Sequence, residues 1–420
     1  KVDAQTLLDL PGSGTDPLKI DYAAMPNIAG THAVISPLDP VLKFQLHSYL
    51  IYHAGQFWCL WSQGPPVEDE VTQQIRYATS QEGLKWSEPK TLTGLPQDGY
   101  AYIARGFWER DGELLALVAQ FKGKGAFGVN KELQLQAWVW DKPTGTWKLK
   151  GRMFENAINN FPPQKLPSGE WMMTRRDSRF NVSVLIGGQK SFDDWESLPV
   201  VERLKVKGFS PDEPIWWSQP DKTVIGLFRD NGGSSRVFRA TSVDLGRTWS
   251  TPALTNFPNS SSKLFSLTLS GGPRVLISNA NPNLGRRQLH LSTSNDGVLF
   301  TRMALLAIPS PVATTAAFPR PAHTWCPARG RSARRKAAAK TTGRWSSLPP
   351  QSSATELRGY RALRGYRARP VNRARRASRA RPVNRVRRAS QTPGKTPSAT
   401  TPGRGSPSSR SSWSSGLPAM

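Results

Sequence analysis

A tight turn followed by a buried strand recurs along this chain at a nearly constant interval, and that repeat limits the folds open to it. The phrase reads AGQFWCLWS at Gly55, DGELLALVA at Gly112, SGEWMMTRR at Gly169, PDKTVIGLF at Asp221-Lys222 and GGPRVLISN at Gly272. Successive copies lie 57, 57, 53 and 50 residues apart. Glycine supplies the positive φ that a hairpin turn needs, and the aromatic and β-branched run behind it suits a pleated, buried surface. No sustained 3.6-residue apolar period appears in the first 310 residues, so helices are not expected there. Four-stranded units at this spacing, without helices, are what the blades of a β-propeller require, because each sheet packs face to face on the next. A sandwich also carries many short strands but sets no phrase at a fixed interval. Five units are legible, and the expected fold is an all-β propeller.

The repeat stops near Ile308, and the composition changes with it. Of the 57 Lys and Arg, 24 fall in residues 311–420 against one acid, Glu356, which leaves the first 310 residues close to neutral. The same stretch holds four Leu, four Val, one Phe and no Ile, too few to bury a core. Within it RARPVNRARRAS at Arg367 returns as RARPVNRVRRAS at Arg379, and RGYRA occurs at Arg358 and Arg364. The expected organisation is an N-terminal segment over 1–42, a propeller over 43–308 and a disordered basic tail over 309–420. A change this abrupt is what out-of-frame translation of a GC-rich gene produces, in which case another frame would encode a sixth blade. The tail's cations imply only non-specific, salt-sensitive binding to nucleic acid.

The two cysteines, Cys59 and Cys326, fall on opposite sides of this break and imply no disulfide framework. The compartment stays open, secreted and periplasmic settings included. No apolar run approaches the roughly 18 residues of a membrane span. The chain opens at Lys1 without Met or a signal-like segment, so its natural N-terminus is expected to be missing or processed.

Near the end of the fourth unit stands Ser242-Val-Asp244-Leu-Gly246-Arg-Thr248-Trp249, a full S-x-D-x-G-x-T-W pattern. Its physics is that of a hairpin whose Asp accepts turn N–H groups, whose Gly takes positive φ and whose Trp folds back as a cover. Weaker copies read Thr79-Ser-Gln81-Glu-Gly83-Leu-Lys-Trp86 and Thr293-Ser-Asn295-Asp-Gly297-Val-Leu-Phe300. The pattern resembles the Asp-box of the sialidase (neuraminidase) superfamily, whose fold is a six-bladed propeller. The box is structural, so chemistry must come from other residues.

The resemblance implies those residues. Asp212-Glu213-Pro214 leads through a strand to Arg229 and then to the Asp-box, as sialidases run from Glu-Pro to an Arg. Glu213 would then activate a tyrosine nucleophile, and Arg229 would help hold a substrate carboxylate through a charge-assisted fork. SNANPNLGRRQLHLSTSNDG points to Arg286 as a second such Arg, with Arg287 the alternative. The family's general acid falls in the loop GPPVEDEVTQQ, at Asp69. Where sialidases open this blade with Arg-Ile-Pro, the chain has His47-Ser48-Tyr49, so the first Arg is absent or replaced by His47. Arg105 and the pair Arg175 and Arg176 stand at matching strand ends and could restore the charge. The nucleophilic Tyr belongs to the last blade, where the pattern has stopped; Tyr360 and Tyr366, in the RGYRA repeats, are poor substitutes.

Other features reduce to structure. Trp58, Trp61, Trp108, Trp216 and Trp217 could stack on sugars, but alternation sends about half of such residues between blades, and most are expected in the core. Gly123-Lys-Gly125-Ala-Phe-Gly128 matches G-x-G-x-x-G without a βαβ context and reads as a loop. Asn181 and Asn259 begin sequons by spacing alone. No His/Cys cluster has zinc spacing and no EF-hand loop is present, so no metal or cofactor is expected. The reading is a monomeric exo-glycosidase acting on terminal sialic-acid-like sugars, or else a propeller that binds glycans without hydrolysing them.

Overall fold

In each unit the recurring phrase becomes an inner strand of an antiparallel sheet, with the turn just before it. The structure, a computed structural model, describes residues 5–270 and 272–306; the basic tail, with Cys326, Tyr360 and Tyr366, lies outside them. The first blade pairs Phe44–His53, Gln56–Gly64, Gln74–Ser80 and Lys90–Thr91 in chain order. The second pairs Tyr100–Arg110, Glu113–Lys122, Gln134–Asp141 and Thr146–Glu155. In the third, Ile158–Asn159 and Gln164–Lys165 both pair with Trp171–Arg176, followed by Val182–Gly187 and Trp195–Val201. The fourth runs through Pro211–Ser218, Val224–Asp230, Arg236–Ser242 and Ala253–Pro258. The fifth comprises Phe265–Thr268, Arg274–Ser278, Leu289–Ser294 and Arg302–Leu306, with Asn27–Ile28 added in parallel at its edge. Among the described residues helix is limited to two three-residue 3-10 turns, Pro17–Lys19 and Pro282–Leu284.

Strand alternation builds the seams between blades. Met173 joins the second seam with Trp108, Leu115 and Leu185, whereas its neighbour Met172 joins the third with Ile186, Trp216 and Val224. Trp217, one residue on from Trp216, faces the fourth seam with Leu227 and Leu276. All five tryptophans weighed as sugar platforms are buried, four of them in seams and Trp61 on the outer face of the first blade. Phe265 and Leu267 of the fifth blade, and Leu50 and Tyr52 of the first, remain exposed.

The N-terminal segment is part of this packing. Leu7, Leu8 and Leu10 enter the core between the fourth and fifth blades. Asn256 fixes them: its Oδ1 accepts the Leu7 and Leu8 N–H groups at 2.8 and 2.9 Å, and its amide donates to the carbonyls of Leu8 and Thr15. Farther on, Ile35 packs with Trp86 over Cys59 and Trp61 on the outer face of the first blade.

The Asp-box hairpin forms as its residue types dictate. Asp244 accepts from Ser242 Oγ, Thr248 N and Thr248 Oγ1 at 2.6–2.8 Å, and Trp249 Nε1 donates to Gly246 O at 2.9 Å. The weaker copies are shifted by one residue from the sequence alignment. Ser80, not Thr79, accepts from Gly83 N, and Ser294 with Asp296, not Thr293 with Asn295, caps the last turn. Trp195 Nε1 donates three residues back to Phe192 O, as Trp86 and Trp249 do to Gly83 and Gly246, so the third blade carries a related hairpin.

Candidate functional site

The strands that open the blades are irregular, and the irregularities carry the candidate site. Register shifts fall between Leu46 and Tyr49, between Ala104 and Gly106, and between Asp212 and Ile215. His47, Arg105 and Glu213 sit inside these three bulges. His47 and Glu213 are non-glycine residues at φ 59 and 37, and Gly106 follows Arg105 at φ 115. A bulge turns a side chain away from the face it would otherwise occupy, and here it turns polar groups out of apolar seams. In the third blade the opening strand is interrupted between Asn159 and Gln164. Tyr49 of the first blade reaches both the third and the fifth: its hydroxyl donates to Asn160 O at 2.8 Å and accepts from Lys263 Nζ at 2.7 Å. Contacts spanning three blades that are not all neighbours in sequence order place this cluster at the centre of the propeller.

Acids and cations interlock there. Arg229 Nη1 donates to Glu213 Oε2 at 2.7 Å, with Asp212 Oδ2 at 3.7 Å. Arg176 Nη1 donates to Asp212 Oδ1, whose other oxygen accepts from Asn231 Nδ2 at 2.7 Å. Burial alone would push the Glu213 carboxyl up, but Arg229, Lys263, Arg176 and Arg105 outweigh it and hold it well below the usual carboxylate range. Glu213 is therefore a fixed anion at neutral pH. Arg105 is fully buried, with one weak contact from Nη1 to Asn159 O at 3.4 Å and no partner at Nε. Arg286 donates to Ser261 O; burial and the neighbouring Arg229 charge lower it to about 10, so it stays charged at neutral pH.

The loop after Gly64 adds two carboxyls with different surroundings. Glu68 Oε1 lies 3.3 Å from His47 Nε2, and its side chain is 27% exposed. Asp69, at φ 59, is stitched into the loop: its N–H donates to Gln73 Oε1, its carbonyl accepts from Gly125 N at 2.8 Å, and its carboxylate takes the Ala126 N–H. Asp69 Oδ1 has no accessible surface and no partner. Burial raises both carboxyls, and each raises the other or is raised by a further acid: Glu213 acts on Glu68, and Glu68 on Asp69.

Of the residues singled out in the sequence, Glu213, Arg229, Arg105, Arg286, His47 and Asp69 come together, and Arg175 does not. Alternation sends Arg175 to the face opposite Arg176, where it holds Asn156 O at 2.8 Å, touches Ser183 and Ser197, and lies over Phe154. Arg176 is the member of the pair at the centre. Arg287, the alternative to Arg286, donates to Leu284 O in its own loop. Nor does His47 stand in for a cation. Burial first, then Arg105 and Lys263, hold it well below the ordinary imidazole range and keep it neutral. Sequence reasoning did not single out Lys263, Tyr49 or Glu68 as site members. Lys263 lies over both Tyr49 and Phe161, at 4.6 and 5.4 Å. A signal existed for it: Lys263 shortly precedes the opening strand of its blade, where a lone cation faces the axis.

The sequence of residues 55–311 matches the BNR repeat-like domain family. The chain belongs to that family. Among curated proteins, none matches this BNR repeat-like chain. A protein of unknown function from Dyadobacter fermentans has a similar structure, with a TM-score of 0.52 at 14% identity over 65% of this chain and 85% of its own. The NanB sialidase of Streptococcus pneumoniae is similar at a TM-score of 0.50 and 11% identity, covering 66% of this chain. The BNR repeat-like chain spans 64% of that sialidase chain, and at this identity the likeness is one of fold. The superfamily is thus sialidase-like in fold, as the Asp-box implied.

Proposed function

We propose that this BNR repeat-like protein is an exo-acting glycosidase for terminal, carboxylate-bearing sugars of the sialic-acid type. The observation that carries the reading is the convergence of Arg105, Arg176, Arg229, Arg286 and Lys263 on Glu68, Asp69, Asp212 and Glu213 at the propeller centre. The cations suit an anionic sugar, and planar guanidinium groups suit its carboxylate in particular. Glu213, held ionised, suits a transition state in which positive charge develops at the anomeric carbon. The loop bearing Glu68 and Asp69 offers carboxyls raised toward the range where an acid still holds its proton near neutrality. The sialidase-like fold supports the choice of sugar class.

A second reading, glycan binding without turnover, is favoured by Tyr49. The phenol at this centre gives its proton to Asn160 O and accepts from Lys263, which makes it a fixed hydrogen-bonding element rather than a free nucleophile. The two readings separate on an α-ketoside of N-acetylneuraminic acid with a fluorescent aryl leaving group, assayed beside calorimetric titration with sialyllactose. Release of the fluorophore is the expected outcome. Binding without release selects the second reading, and neither binding nor release sinks both.

A further inference from the structure

We propose that Glu68, held by His47 and Ser62, is the group that protonates the leaving oxygen, and that Asp69 instead fixes the loop that presents it. This deepens the glycosidase reading above and rests on it. Hydrogen bonding separates the two neighbours. Asp69 is stitched into the loop through its N–H, its carbonyl and its carboxylate, which takes the Ala126 N–H, and its Oδ1 is buried. Glu68 has one carboxylate oxygen beside His47 Nε2 and a side chain 27% exposed.

The tautomer of His47 then sets which Glu68 oxygen is free. Ser62 Oγ is buried and accepts from Ala104 N at 2.9 Å, and His47 Nδ1 stands 3.2 Å from the same oxygen. The proton of this buried hydroxyl finds its acceptor at Nδ1, which leaves the imidazole proton on Nε2. Nε2–H therefore donates to Glu68 Oε1 as a neutral donor, which leaves Oε2 to carry the acidic proton. The bulge and the left-handed backbone at His47 are what bring Nε2 to this position. Glu68 is faced by His47 from the first blade, Arg105 from the second, Glu213 and Arg229 from the fourth and Arg286 from the fifth; on its own loop it adjoins Asp69, and the next acid, Glu70, is paired with Lys124. Burial first, then the Glu213 charge, raise the Glu68 carboxyl against the three guanidinium groups.

The step balances without a further reagent. Glu68 Oε2–H passes its proton to the bridging oxygen as the anomeric C–O bond breaks and the alcohol departs. The carboxylate so formed takes a proton from the water whose oxygen ends on the anomeric carbon, which restores the acid and yields the free sugar.

The test compares phenyl and 4-nitrophenyl α-ketosides of N-acetylneuraminic acid, since a poor leaving group needs the proton and a good one hardly does. Glu68→Gln is expected to lose roughly 10²–10⁴-fold in kcat/KM on the phenyl ketoside and far less on the 4-nitrophenyl ketoside. Asp69→Asn is expected to lower both by the same factor. His47→Asn, which tolerates the left-handed backbone, removes the donor to Oε1, so the basic limb of the pH profile moves to higher pH while the leaving-group pattern stays wild-type. Leaving-group dependence in Asp69→Asn and not in Glu68→Gln overturns the assignment while turnover by the wild-type chain upholds the glycosidase. No turnover of either ketoside by the wild-type chain removes the glycosidase reading itself, and the assignment with it.

Discussion

Glu68 and Glu213 face each other's charge at the propeller centre, yet the fold treats their protons in opposite ways. Glu213 is held ionised by Arg229, Lys263, Arg176 and Arg105 against its burial, so its carboxylate contributes stability above the unfolded-state value near 4.3, and that contribution is lost as pH falls toward the depressed folded value. Glu68 is raised, first by burial and then by Glu213, so ionising it opposes folding as pH climbs from the unfolded value through the folded one. Thermal unfolding followed from pH 4 to pH 8 should therefore separate two conservative variants. Glu68→Gln is expected to melt above wild type at pH 7, with the gap closing near pH 4. Glu213→Gln is expected to melt below wild type at pH 7, because it leaves Arg229 buried beside a neutral amide, a loss of about 3–5 kcal/mol when a buried pair is broken. A Glu68→Gln protein that is less stable than wild type at pH 7 and equal at pH 4 contradicts the raised carboxyl. At this scale the sequence was partly legible. Glu213 and Arg229 were singled out through the resemblance to sialidases, in which a Glu-Pro leads through a strand to an Arg before the Asp-box. The choice of Arg176 over Arg175 was not, since it depends on strand parity beside an interrupted edge. The His47–Glu68 contact was hidden because it joins a bulge to a loop.

At the scale of the hairpin, positive-φ glycines do two separable jobs. Gly246 lies at φ 90 in the Asp-box, and a Cβ there would collide with Met172 Sδ across the third seam. Gly233 lies at φ 92 in the fourth blade with nothing within 4 Å of a Cβ. Replacing each by Ala should therefore separate backbone conformation from packing. Gly233→Ala is expected to lose about 1 kcal/mol from the backbone alone, and Gly246→Ala about 2–4 kcal/mol once a core methionine must also move. Urea unfolding measures both; equal losses would show that the seam yields freely at Met172. The repeat was readable in sequence because four of its five turns carry Gly at positive φ, at Gly55, Gly112, Gly169 and Gly272, with Lys222 at φ 70 in the fourth unit. The degenerate boxes were read one residue out of place because Thr79 and Ser80, like Thr293 and Ser294, both offer a hydroxyl. Only the turn's hydrogen bonds distinguish them: Ser80 Oγ takes Gly83 N, and Ser294 Oγ gives to Asp296.

At the scale of the whole propeller, the segment before the first blade closes a seam rather than leading into one. Gln5 bridges Thr255 and Leu8 bridges Phe300, so this short stretch lies between the fourth and fifth blades as an added strand. Composition did not reveal this, because three leucines scattered through a turn-rich segment carry no period of their own. Their burial follows from where the chain returns, which only tertiary pairing fixes. Leu8 is 2% exposed among Trp217, Leu276, Phe300 and their neighbours, so Leu8→Ala should lose about 2–5 kcal/mol by opening a cavity there. Asn256→Ala should be comparably damaging from the polar side, since it strips the Leu7 and Leu8 N–H groups and the Leu8 and Thr15 carbonyls of their partner, at about 1–3 kcal/mol for each buried group left unsatisfied. Both losses would appear as a lower urea midpoint with an unchanged slope. The double variant should lose less than the two single losses combined, because once the segment detaches its leucines and its hydrogen bonds go together. Strict additivity would instead mean that the leucines and Asn256 act on separate parts of the fold, and the segment would then be docked onto the propeller rather than built into it.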